Sequence, residues 1–287
     1  VSHSVKAPVV PVSLKIKGAL GGRHMDWHFD VAHEKFMTPT FMAIALGSGM
    51  QAVANERQDV SWSAVSRLKV KGFGELVLED YGVAVGGTPE ARDFVRSNLV
   101  YAVGVLMNNP WRPVIIESAS MEIELRYSRE LLRLRGAEVL EREVKAGDDA
   151  HVRLTFVPFA GPPREKVVTL PIPKHLSGDT LRIEVQPGYM VKKPRPSPET
   201  LQELFDSFED PTYAPKSVVL SYASGDALAF KGRIAEDLPP GVLDSLRPTT
   251  STIAPEPYRS QTDQVVKLDD FVVGGDTVTL QVKPSLK

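Results

Sequence analysis

His24, Asp26 and His28 stand two residues apart in the run His24-Met25-Asp26-Trp27-His28-Phe29-Asp30-Val31. Strand side chains alternate with period two, so this spacing puts two imidazoles and a carboxylate on one face. Met25, Trp27, Phe29 and Val31 fall on the other. Such ligands suit zinc, or iron where a coordination position stays open, and His33 could supply a fourth if the chain turned back. The competing reading is a solvated outer face, because neighbouring Cβ atoms on a strand diverge and no HExxH spacing on a helix occurs.

Gly47-Ser48-Gly49 places a serine between small residues, as a peptidase nucleophile would be, but without the outer glycines of a nucleophile elbow. A break in a helix, or a close approach of helix to sheet, explains the same triplet. Asp148, Asp149 and Asp179 lie in turns beside glycine, where Asx-type hydrogen bonds account for them without calcium. Lys192, Lys193 and Arg195 form a compact basic cluster among prolines, either a solvated linker or a dock for an acidic partner. Trp111 either anchors the corner after Asn109-Pro110 or offers an aromatic to a partner. Trp27, Trp62 and Trp111 gathered on one exposed surface would point to carbohydrate. No P-loop, GxGxxG, kinase or EF-hand pattern occurs.

These residues need elements to hold them. Val9 to Lys17 and Met25 to Val31 read as strands, and Thr38-Pro39 as the cap and first residue of a helix running to about Arg57 that Gly47 and Gly49 weaken in its middle. Val60 to Val70 and Glu75 to Val83 form two strands about a tight turn. Thr88-Pro89-Glu90 opens one continuous helix that Asn108-Asn109-Pro110 stops. Pro113 to Tyr127 and Leu131 to Val144 alternate as two long antiparallel strands. Beyond them, Val152 to Val157, Lys166 to Ile172 and Thr180 to Val185 are short strands with regular turns, as in a sandwich. Ser197-Pro198-Glu199 starts a further helix with Leu201, Leu204, Phe205 and Phe208 on one side. Strands resume at Ser217 to Tyr222, Ala227 to Ile234, Val265 to Val273 and Thr277 to Val282, and Arg247 to Thr262 reads as an exposed loop.

The pattern is β-rich α+β: an α+β domain over residues 1–145, with two helices on an antiparallel sheet, then an Ig-like β-sandwich domain over 146–287 with one helix inserted at about 198–209. The 287 residues leave room for two such cores. With 34 Lys and Arg against 36 Asp and Glu, the net charge of −2 supplies no field to draw nucleic acid or anionic lipid. Zero cysteines exclude disulfides, thiolate metal sites and a cysteine nucleophile. The nine-residue apolar run Leu99 to Met107 is about half a membrane span. The start, Val1-Ser2-His3-Ser4, has no signal-peptide pattern, and the chain reads as a piece of a longer protein.

A likeness emerges from several stretches together. Gly74-Glu75-Leu76-Val77-Leu78-Glu79-Asp80, the helix closing in Met107-Asn108-Asn109-Pro110-Trp111-Arg112-Pro113-Val114, and Ile123-Glu124-Leu125 come first. Val144-Lys145-Ala146-Gly147-Asp148, Leu170-Pro171-Ile172-Pro173, Ser177-Gly178-Asp179 and Leu201-Gln202-Glu203-Leu204 continue it. Together they resemble the region that follows the peptidase domain in exported bacterial proteins of the SpoIVB-type serine peptidase kind. In that family the catalytic histidine sits in Gly-His-Gly and the serine in a small-residue Ser-Gly turn, both in the upstream domain. No Gly-His-Gly occurs here and His24 follows Gly22-Arg23, so no catalytic residue carries over.

The resemblance implies a non-catalytic structural or protein-binding portion of a periplasmic, cell-surface or secreted protein, with no cofactor. Its partner would be a protein or the upstream peptidase domain, met by a sheet edge or an exposed loop. The rivals are a hydrolase, through His24, Asp26 and His28 or through Ser48, and a carbohydrate-binding module.

Overall fold

In a computed structural model of the chain, which describes residues 7–18, 25–53, 60–84, 91–127, 131–158, 161–230, 233–235 and 256–284, alternating burial marks strand after strand. The fold is β-rich, with multiple sheets. The chain divides into two compact units, one of Val1–Arg129 with Thr200–Asp210, the other of Glu130–Glu199 with Pro211–Lys287.

The first unit is built on a five-stranded sheet. Its strands are β1 (Val9–Lys17), β2 (Met25–Ala32), β3 (Val60–Val70), β4 (Gly74–Ala84) and β5 (Ile116–Arg126), in the order β2-β1-β5-β3-β4. The sheet is mixed rather than antiparallel, because β5 enters between the β1–β2 and β3–β4 pairs, antiparallel to β3 and parallel to β1. Its inner face carries Leu14, Ile16, Leu68, Leu76, Leu78, Met121 and Ile123, all nearly solvent-free. On the outer face, Lys17 pairs with Glu122, Arg67 with Glu75 and Lys69 with Glu117.

Helices cover the inner face. Helix α1 (Thr38–Val53) is continuous through Gly47 and Gly49, so the expected break does not occur. Gly49 instead permits close approach: a Cβ there would lie 2.6 Å from Leu14 Cδ2 and 3.5 Å from Trp27 Cδ1. Thr38 does not cap this helix. Glu34 does, its Oε2 accepting the N–H groups of Phe36 and Met37, while Thr38 lies buried in the first turn. The expected end near Arg57 lies outside the described residues.

The single helix expected before Asn108 is two, α2 (Ala91–Val95) and α3 (Asn98–Met107). Ser97 separates them: its hydroxyl donates to Phe94 O and accepts from Val100 N–H, capping α3. Thr88-Pro89-Glu90 lies outside the described residues. At the far end Asn109 builds the corner, its Oδ1 accepting from Trp111 and Arg112 N–H and its Nδ2 donating to Leu106 O and Arg112 O.

The last helix, α4 (Leu201–Asp206), is capped by Thr200 rather than by Ser197. It belongs to the first unit, not to an insertion in the second domain. Leu201, Leu204, Phe205 and Phe208 enter the first core, with Phe205 5.4 Å from the Phe73 ring and Phe208 6.1 Å from that of Tyr101.

The second unit holds β6 (Leu131–Val139), β7 (Glu143–Lys145), β8 (Asp149–Pro158), β9 (Arg164–Pro171), β10 (Thr180–Pro187), β11 (Ser217–Phe230), β12 (Arg233–Ala235), β13 (Glu256–Lys267), β14 (Phe271–Val273) and β15 (Asp276–Lys283). They form a sheet β12-β11-β10-β15-β7, with β13 also on β11, and a sheet β14-β6-β8-β9. Both sheets feed one core, with Leu134, Val152, Leu154 and Phe156 from one and Ile183, Val185, Leu220 and Leu280 from the other.

Several expectations change here. The unit boundary falls at Arg129/Glu130, not at 145/146, because β6 joins the second core. The strands β5 and β6, expected to pair, lie in different sheets. Ser217 to Tyr222 and Ala227 to Phe230 are one strand with an irregularity between Ala223 and Gly225. The segment Val265 to Val273 is interrupted at Asp269-Asp270. Of the loop expected at Arg247 to Thr262, residues 247–255 lie outside the described residues, and Glu256 onward is strand β13.

Candidate functional site

The polar side chains of β2 face outward. Asp26, His28 and Asp30 are exposed, opposite Lys15, Ser13 and Pro11 of β1. His24 lies outside the described residues. His33 does not turn back toward them: its backbone N–H bonds Pro8 O, and its Nε2 accepts the Ile116 N–H at 3.3 Å. Among the described residues no three His, Asp or Glu side chains gather to hold a metal.

Ser48 lies in the third turn of α1 on its exposed side, not at a strand-to-helix turn where an elbow would present it. Asp148 and Asp179 close their turns through the backbone, donating N–H to Lys145 O and Leu176 O, and each carbonyl accepts from a distant segment, from Ile172 and Val282 N–H. Lys192 is bridged to Thr212, and Lys193 donates its N–H to Pro211 O while its ammonium sits 5.5 Å above the Tyr213 ring. The basic segment is thus pinned rather than a free linker. Trp62 is buried against Phe94, and Trp27 packs on the core with its Nε1 buried. Trp111 is 41% exposed, so the aromatics form no shared platform, and the corner rests on Asn109 instead.

The sequence reading missed two features. The first is Asp80, on the inner face of β4 in step with Leu76 and Leu78. Its Oδ1 accepts the Asn98 N–H at the start of α3, at 2.8 Å, while Oδ2 is buried without a partner. Burial raises its carboxyl to about 6, the Asn98 bond lowering it by less. Asn98 closes the clamp by donating from Nδ2 to Glu79 O. Period two through Leu76-Val77-Leu78-Glu79-Asp80 already aims this acid inward.

The second is the outward stripe of α1. Met42, Leu46 and Met50 turn to the core, whereas Met37, Phe41 and Ile44 are 43%, 40% and 51% exposed. These three follow one another at helical spacing and continue into Ser48 and Ala52, both exposed. No residue from Thr38 to Val53 is charged. Exposed Thr40, Ser48 and Gln51 flank these apolar side chains, so the helix presents an apolar patch at Phe41 and Ile44, with Met37 in the turn before it, within an uncharged polar face.

No family model, curated protein or solved structure matches the chain.

Proposed function

We propose that the chain is the non-catalytic, protein-binding portion of a bacterial cell-envelope or secreted protein related to the SpoIVB-type peptidase proteins. The outward side of α1 carries this reading, because Phe41 and Ile44, with Met37 in the turn before them, present apolar surface from a helix anchored on a sheet. The second unit acts as a β-sandwich of Ig-like kind, a reading supported by the one core that its two sheets share. Among the described residues no helix is long and apolar enough to cross a membrane, and placement outside the cytoplasm rests on the sequence likeness alone.

Two measurements on the whole chain test this. Titration calorimetry against a SpoIVB-type peptidase domain supplied in trans, and against the chain itself, should give saturable heat that Ile44→Glu abolishes. Fluorophosphonate labelling of Ser48, or hydrolysis of a peptide substrate lost in Ser48→Ala, would overturn the non-catalytic reading.

A further inference from the structure

His33 holds a backbone group in a way that only an uncharged imidazole can. Its Nε2 accepts the Ile116 N–H at 3.3 Å, and Ile116 is buried at the first position of β5. A neutral imidazole keeps one ring nitrogen as an acceptor, whereas the protonated ring has two donors and no acceptor. The same contact places the ring hydrogen on Nδ1.

The bond joins a firmly held turn to a lightly held strand start. On the turn side, His33 N–H bonds Pro8 O, and the Thr38 hydroxyl accepts from Glu34 N–H and donates to Ala32 O. On the strand side, β1 pairs with β5 only from Ala119 onward. The pairing of β3 with β5 shifts register there, since Lys69 meets Ser118 and Val70 meets Ile116. The corner before β5 is tied to the β3–β4 turn by the Lys71 N–H on Ile115 O, and it exposes half of Ile115. Loss of the imidazole acceptor therefore loosens the strand start and this corner, and leaves the turn intact.

The other charged groups on the elements that meet here are engaged elsewhere or face solvent. The Glu34 carboxylate accepts the Phe36 and Met37 N–H groups, and the Lys35 ammonium lies 5.6 Å from the centre of the Phe36 ring. Lys69 pairs with Glu117 at 3.4 Å, Arg112 lies 5.1 Å over the Phe73 ring, and Lys71 is exposed. The adjoining end of β1 brings Pro8 and Val9, which do not titrate. Histidine is the side chain whose charge ordinarily changes between about pH 8 and pH 5.

We infer that His33 is an acid-sensitive latch: its neutral imidazole fastens the start of β5 to the turn before α1, and its protonation releases that start together with the corner at residues 109–115. The device is independent of what α1 binds.

NMR of the whole chain tests both halves of this. At about pH 7.5 the long-range proton–nitrogen correlations of His33 should show the Nδ1–H tautomer. Between about pH 7.5 and about pH 5 the protection factor of the Ile116 amide should fall at least about tenfold, while the Leu68 and Leu78 amides keep theirs. His33→Gln can accept through Oε1 at any pH, so the fall should vanish in that variant. His33→Ala should leave Ile116 weakly protected at both ends of the range, with an unchanged circular dichroism spectrum. A dominant Nε2–H tautomer at neutral pH would overturn the latch. So would wild-type protection of Ile116 that ignores pH, a fall that His33→Gln retains, or full protection in His33→Ala.

Discussion

Glu141 grips His151 with both carboxylate oxygens, Oε1 2.6 Å from the ring Nδ1 and Oε2 accepting the backbone N–H at 2.8 Å. Partial burial pushes the Glu141 carboxyl up, but the two His151 bonds outweigh it and hold the group below its usual value of 4.5. A carboxyl lowered by folding adds stability that is complete above the unfolded value and is lost as pH falls through the folded one. Glu141→Gln should therefore lower the unfolding free energy at pH 7, read from urea titration, by no more than about 1 kcal/mol given the solvent exposure of the pair. At about pH 3 the two proteins should unfold together. A gap that persists in acid would show that the ionised pair is not its source.

Asp80 has the opposite sign. Its carboxyl is raised by burial from 3.8 to about 6, so the native state holds the proton more tightly than the unfolded chain. The contribution of this group to stability is greatest below 3.8, declines as pH rises through about 6, and is level beyond, a span of about 3 kcal/mol. Asp80→Asn should remove that limb from a series of unfolding midpoints taken between pH 4 and 8. Parallel profiles for variant and wild type would mean that Asp80 does not titrate in this range.

Gly82 faces the flat of the Trp62 ring, and a Cβ there would overlap Cε2, Cζ2 and Nε1 together. Phe94 lies 6.0 Å from the same ring, so the indole has little room to retreat. Gly82→Ala should destabilise by about 1–3 kcal/mol, read as a lower thermal midpoint by circular dichroism. An unchanged midpoint would show that the ring is free to move.

Phe205 joins the first core from α4 and touches Phe73, whose ring also lies under the Arg112 guanidinium. Phe205→Ala should cost about 3–5 kcal/mol, as large-to-small changes in packed cores do. The loss should appear in amide exchange of β3, β4 and α3, leaving β8 and β10 protected. Uniform deprotection of both sets would argue that the two cores melt as one.

Much of this fold is legible from local pattern. The alternation of β1, β3, β4 and β8 is plain because each buries one face. Sheet membership is not, since the register that sets β5 beside β1 pairs residues more than a hundred positions apart. The division of the helix at Ser97 was legible in principle, as a capping residue inside an apolar period, but the stronger start at Thr88-Pro89 masked it. The stripe of α1 was hidden for a different reason. Phe41 and Ile44 look like core residues in sequence, and only the packing of Met42, Leu46 and Met50 onto the sheet shows which side is left over. Asp26 and His28 illustrate the reverse case, where correct alternation said nothing about whether ligands converge.

Helix α4 has a consequence for how such a protein is made and inherited. The first unit takes Thr200–Asp210 from beyond the long segment Glu130–Glu199, so a ribosome must deliver most of the chain before that unit acquires its final apolar cover. Until then Phe73 and Tyr101 lack the aromatic partners they meet in the finished fold, a window in which a chaperone or a neighbouring nascent chain could bind instead. The same interleaving means that no single cut in the gene separates the two units. Recombination that moved residues 1–129 alone would transmit a first unit without α4, with Phe73 and Tyr101 left short of their ring partners.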